Sequence, residues 1–175
     1  MHDNIKKRIN IAAKRQPADL VIKNCKIVNV FTHEIIEGDI AISDGKIAAV
    51  GNYSGEKEVD AEGRYALPGF INSHIHIESS FVSPEEFSRL VVPHGTTTII
   101  ADPHEIVNVC GMDGFDYMVK AGKNAALDIK YMIPSCVPCT PWEHAGAVVD
   151  SKAISEVINQ DKVFGMGEFM NTVGV

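Results

Sequence analysis

The chain has 175 residues, 45% hydrophobic and 22% charged, enough to bury a core of its own and without collagenous or low-complexity bias. Sixteen Lys and Arg against 23 Asp and Glu leave a net charge of −7 with no basic run, which argues against a nucleic-acid partner. No apolar run approaches the ~20 residues of a membrane span. The charged opening MHDNIKKRINIAAKRQPAD lacks a secretory apolar stretch, so a cytoplasmic protein with no membrane partner is expected.

Residues 1–18 read as an N-terminal arm. Ile5, Ile9 and Ala12 or Ala13 stand at helical spacing among Lys and Arg, predicting a short amphipathic helix ended before Pro17. Residues 19–66 read as a small β-sandwich part. DLVIKNCKIVNV is rich in Val and Ile, and EGDIAISDGKIAAVG carries Asp44-Gly45 between two β-rich runs, a hairpin signal. A further strand is expected at Glu58–Asp60 and a turn at Glu62-Gly63, giving an antiparallel unit too small to cover its own inner face.

From residue 67 to residue 175, strands alternate with helices. ALPGFINSH predicts the first strand. Ser83-Pro84-Glu85-Glu86 opens a helix with a cap, a proline at the first position and a capping-box glutamate, and Phe87, Leu90 and Val91 form its apolar stripe. TTTIIADPHE is the second strand, and GMDGFDYMVKAGKNAAL a helix with Phe115, Met118 and Val119 on one face. DIKYMIPS, DSKAISEVINQ and KVFGMGEFM supply a third strand, a helix and a fourth strand. Such alternation implies βαβ units and a parallel sheet, either a four-stranded open sheet or half of an eight-stranded barrel, which takes ~250 residues in full.

In a parallel α/β fold the chemistry lies beyond the carboxyl ends of the strands. His74 and His76 stand one residue apart, so on a strand they share a face and can close on one divalent ion. Taken alone, the pair reads equally well as polar residues at a strand exit. The second strand runs into Asp102, His104 and Glu105, and the fourth into Glu168 after a glycine-flanked apolar run. Ionisable groups gathered at three strand ends suit a catalytic metal site. A buried salt bridge or helix cap is the plainer reading of Glu168. His33, His94, His144 and Trp142 read as structural. Cys136 and Cys139 form a lone CxxC in a proline-bearing loop, without the second close pair a zinc ribbon needs, and read as incidental thiols.

LPGFINSHIHIESS resembles the metal-binding signature of the amidohydrolase superfamily. HIHIESS, PHGTTTIIADPHEIVNVCG, PSCVP and GEFMN with the later GV are similar to the adenine deaminases within it, from about Leu20 to the last residue. The resemblance implies hydrolytic deamination of adenine to hypoxanthine and ammonia by a metal-bound hydroxide, as in purine salvage. It also implies an α/β fold in which a β-sandwich part precedes a metal-dependent-hydrolase (β/α)8 barrel. The implied cofactor is a binuclear divalent centre, Mn2+ with Fe2+ or Zn2+ as alternatives. By position, His74, His76 and Glu168 would bind metal. Glu168, Glu105 and Asp102 would be catalytic, and His104, Glu78 and Ser79 would contact substrate or support the site. A homo-oligomeric parent is implied as well. The barrel's later histidines and aspartate have no counterpart in these residues, so the chain is expected to be the first half of that barrel, incomplete, and inactive alone. The competing readings are a dihydroorotase-like or imidazolonepropionase-like hydrolase, and a non-catalytic metal-binding or assembly module.

Overall fold

The structure is a computed structural model describing residues 2–171. Two compact units divide it, Met1–Pro68 and Gly69–Val175. The sequence matches that fall on Thr172 to Val175 lie outside the described residues.

In the first unit helix α1 (His2–Ala12) precedes five strands, β1 (Ala18–Asn29), β2 (Glu34–Ser43), β3 (Lys46–Gly51), β4 (Gly55–Asp60) and β5 (Tyr65–Ala66). The helix forms where its spacing predicts, but it buries Ile11 completely while Ile5 and Ile9 remain exposed, so the stripe runs along a different face. Asp44 and Gly45 take φ of 51° and 69°, the left-handed pair that a two-residue hairpin demands. β1 pairs antiparallel with β2, and β2 with β3, whereas β4 and β5 pair parallel to β1. The sheet is therefore mixed, not the antiparallel unit expected. Short apolar runs specify strands but not the direction in which a loop brings them back.

A bulge in β1 sets the two faces of this sheet. Ile22 pairs with Ile40 and Cys25 with Gly38, so Lys23 and Asn24 stand against Asp39 alone, with Asn24 at φ 55° inside the bulge. One extra residue reverses the inward parity of the strand. Ala18 and Val21 accordingly pack with Ile11 and Ala41, while Ile22, Cys25 and Ile27 pack with Ile40 and Ile42.

The second unit holds strands β6 (Phe70–Ile75), β7 (Thr96–Ala101), β8 (Asp128–Ile133) and β9 (Gly165–Met166), all parallel and in the order β6-β7-β8-β9. Helix α2 (Pro84–Val91) joins β6 to β7, α3 (His104–Cys110) with α4 (Met112–Gly122) joins β7 to β8, and α5 (Ser151–Val157) precedes β9. Each strand lies beside its predecessor, with no reversal of order. A doubly wound open sheet requires such a reversal, and a barrel forbids it. This is the first half of a (β/α)8 barrel.

Ser83 caps α2, accepting from the Glu86 N–H at 3.5 Å, and Asp150 caps α5, accepting from the Ala153 N–H at 2.9 Å. α2 buries Phe87 and Ser88 but leaves Leu90 exposed. The Ser88 hydroxyl donates to the Glu85 carbonyl and accepts from the Ala126 N–H, so a polar residue occupies part of the predicted apolar stripe. α4 buries Phe115 and Met118 as its spacing predicts. α3 was not foreseen: TTTIIADPHE reads as strand through Glu105, but β7 ends at Ala101, and Pro103 leads directly into a helix that carries His104 and Glu105 on its first turn. The core joins Ile77, Phe87, Ile99, Val107, Phe115 and Ile133 beneath these helices. Among the described residues no helix is long and apolar enough to cross a membrane.

Candidate metal centre

The carboxyl ends of β6, β7 and β9 bring six of the predicted residues together, His74, His76, Asp102, His104, Glu105 and Glu168. His74 lies in β6 and His76 just beyond it, and their two Nε2 atoms stand 3.1 Å apart. His76 Nδ1 lies 2.8 Å from the backbone oxygen of Asp102. A carbonyl only accepts, so this nitrogen carries the proton and Nε2 presents its lone pair to the site. Glu168 faces both rings, at 3.6 Å from His74 Nε2 and 3.5 Å from His76 Nε2.

These spacings test whether the group suits a cation. Ligands bound at ~2.1 Å stand ~3.0 to ~3.4 Å apart around one ion, for octahedral and tetrahedral arrangements respectively. The three separations, 3.1, 3.5 and 3.6 Å, sit close to that range. They are too long for hydrogen bonds between Glu168 and either imidazole. Two imidazoles and a carboxylate form a donor set suited to a first-row divalent metal.

Asp102, at the exit of β7, is 1% exposed. Its Oδ2 accepts from the Glu168 backbone N–H at 3.0 Å, tying the ends of β7 and β9 together, while Oδ1 is buried without a hydrogen-bond partner. Burial pushes its carboxyl above the usual range, against the Glu168 N–H and the nearby His104 and His76. His104 Nδ1 stands 3.7 Å from Asp102 Oδ1 and 3.9 Å from Glu168 Oε1, and it too is buried and unpartnered. Glu105 turns Oε1 to the Ser79 hydroxyl, which donates at 3.0 Å. Its Oε2 lies 3.6 Å from His76 Nδ1 and is buried without a partner. Glu78 accepts from the Ile106 N–H at 3.3 Å, and burial pushes its carboxyl up as well. Glu78 and Ser79 thus hold the start of α3 against the segment that follows β6.

Three further residues shape the site: Gly167 and Ser135, which were not singled out in the sequence, and Cys136, which was read there as an incidental thiol. Gly167 leaves no room for a side chain, since a Cβ there would meet Asp102 Oδ2 at 2.1 Å. Its signal was present in GMGE, the glycine directly before the acidic residue. Ser135 donates its hydroxyl to the Glu168 carbonyl, and Cys136 Sγ accepts from the Met170 N–H at 3.4 Å. Cys136 therefore steadies the β9 exit. Cys139 is free, and burial pushes its thiol up, away from reactivity. Trp142 is exposed in the loop after β8.

Comparisons with known proteins cover the segment that carries this cluster. Residues 65–172 match the model of the amidohydrolase family. The chain is 62% identical to adenine deaminase 2 of Desulfotalea psychrophila and 53% identical to the adenine deaminase of Geobacillus kaustophilus, each over 98% of its length. It spans 30% of the length of these curated relatives. Among solved structures, an atrazine chlorohydrolase from Arthrobacter aurescens TC1, complexed with zinc, superposes with a TM-score of 0.58 at 17% identity. That match covers 79% of this chain and 41% of that one, and it supports the barrel fold. With the family match extending from β5 through every strand end described above, the chain belongs to the amidohydrolase family.

Proposed function

We propose that the chain is part of an adenine deaminase, which hydrolyses adenine to hypoxanthine and ammonia. The observation that carries this reading is the convergence of His74, His76 and Glu168, within a chain 48–62% identical to proteins of that name. These three residues would hold a divalent cation, Mn2+ in our reading, with Fe2+ or Zn2+ as alternatives. Such an ion supplies Lewis acidity and a nucleophile from water at neutral pH, which attack on an aromatic carbon bearing a poor leaving group requires.

The remaining residues divide the work. The Asp102 carbonyl fixes the tautomer of His76, and its carboxylate fixes the backbone of Glu168, so Asp102 acts on both ligands by positioning. Hydrolysis takes a proton from water and delivers one to the departing amine. Glu105 Oε2 is our choice for that transfer, because Ser79 holds the other oxygen and leaves this one facing the cluster. We assign the parent to the cytoplasm, to purine salvage and to a homo-oligomer.

The test is a substrate assay of the full-length parent loaded with Mn2+. Adenine turnover is expected, reduced at least about 100-fold by His76→Ala. Turnover of dihydroorotate or another cyclic amide in place of adenine would overturn the reading.

A further inference from the structure

We propose that Phe81 is the platform on which the flat purine ring of the substrate stacks, and so a specificity-determining residue of the site described above. The inference rests on the adenine reading and concerns the loop between β6 and α2.

The backbone of Phe81 carries the first observation. It takes φ 57° and ψ 27°, the left-handed conformation, where a bulky side chain is an outlier. The same residue is 95% exposed. Neither backbone preference nor burial favours phenylalanine here. A turn of this kind selects glycine, and an aromatic ring left in water forfeits the large area it could bury. Strain that no packing compensates points to a use for the side chain.

The loop is fixed on both sides of this residue. The Phe81 N–H donates to the Glu78 carbonyl at 2.9 Å and closes the turn. Glu78 in turn accepts from the Ile106 N–H at 3.3 Å, and the Ser79 hydroxyl donates to Glu105 at 3.0 Å. On the other side Val82 packs against the core and Ser83 caps α2. Phe81 is therefore held on an anchored strap, and such preorganisation lowers the cost of ordering a contact. Its Cα lies within ~7 Å of that of Ser79, the longest span that two residues of chain allow.

The chemistry of the cluster calls for such a surface. Its six residues offer imidazoles and carboxylates, which suit a cation and proton transfer. The three imidazoles already pack edge to face, with centroids 4.8 and 4.5 Å apart from His74 to His76 and from His76 to His104. A site for a small aromatic ligand needs apolar or aromatic lining beside its few polar groups. Attack on a ring carbon comes perpendicular to the ring plane, so support on the opposite face fixes the plane for the nucleophile. Trp142, also exposed on a loop at the carboxyl side of the strands, is the weaker candidate, because its backbone is not left-handed and exposure alone singles it out.

The experiment compares the Mn2+-loaded full-length parent with Phe81→Ala, Phe81→Gly and Phe81→Tyr, by kinetics on adenine and equilibrium binding of hypoxanthine. Stacking of a base on an aromatic ring strengthens binding about 5-fold to 150-fold. Phe81→Ala and Phe81→Gly should raise KM for adenine and weaken hypoxanthine about tenfold or more, with kcat changed less than about threefold. Phe81→Tyr should restore both. Phe81→Gly should also melt no lower than the natural parent, because glycine takes φ 57° without strain, whereas a merely structural role predicts a lower melting temperature. A KM within about twofold of the natural value in Phe81→Ala overturns the platform and leaves the adenine reading standing. So does a change of oligomeric state in sedimentation in place of the KM change, which marks Phe81 as a subunit contact. A parent that turns over no adenine overturns the functional reading, and the purine platform falls with it.

Discussion

At position 167 a single methyl group would occupy the space of a carboxylate oxygen. The Cβ of Gly167→Ala would sit 2.1 Å from Asp102 Oδ2 and 2.6 Å from its Cγ. Relief must come from moving either the exit of β9 or the Asp102 side chain, which breaks the bond to the Glu168 N–H. We expect a loss of about 1–3 kcal/mol in urea unfolding, typical of overpacking, together with weaker Mn2+ binding. Unaltered Mn2+ affinity in a destabilised variant would show that Asp102 does not position Glu168. This residue also shows how far sequence reading reaches. Glu168 could be picked out because a carboxylate in an apolar run needs a reason. The need for glycine beside it depends on Asp102, 65 residues earlier, approaching through space.

At the scale of elements, the bulged strand β1 depends on one half-buried ion pair. Lys23 Nζ donates to Asp39 Oδ2 at 2.6 Å, and the backbone N–H groups of Tyr53 and Asn24 donate to the same carboxylate at 3.2 and 3.1 Å. Asp39 thereby joins β2 to the bulge in β1 and to the segment after β3. Burial pushes its carboxyl up, but the Lys23 ammonium and the two N–H donors more than offset this and hold it below its ordinary value. Because the folded pKa lies below the unfolded one, the unfolded chain takes up the proton first. The stabilisation is complete above the unfolded pKa of about 3.9 and is lost as pH falls through the folded value. Thermal melts at pH 5 and pH 3 should therefore show a larger drop for the natural chain than for Asp39→Asn, which at pH 7 costs about 1–3 kcal/mol. Equal drops in both would remove Asp39 from the account. The hairpin turn at Asp44-Gly45 and the cap at Ser83 were legible, since each is a local rule about a few adjacent residues. The bulge was not, because it exists only relative to β2.

Across the whole molecule, the described residues of the half barrel leave two sheet edges without a paired strand. β6 and β9 terminate the sheet, and Phe70 and Ile71 on one, with Phe164, Met166 and Phe169 around the other, are roughly half or more exposed. Unpaired edges flanked by apolar side chains invite further pairing. Sedimentation of the 175-residue chain should show concentration-dependent species heavier than 19.0 kDa, with binding of an apolar dye. A dye-silent monomer at every concentration would contradict this. Periodicity, caps and turn residues, all of them short-range, set the order of strands and helices, the barrel-like alternation and the placing of ionisable groups at strand ends. The family signature around His74 and His76 was legible for the same reason, as a fixed spacing on one strand. Tertiary structure alone decided the parallel return of β4 and β5, the helix that lifts His104 and Glu105, and the tautomer of His76. It also decided which atoms of Asp102 and His104 are left buried without partners. Each of these depends on groups distant in sequence meeting in space, and such meetings are fixed by packing and hydrogen-bond satisfaction across the fold.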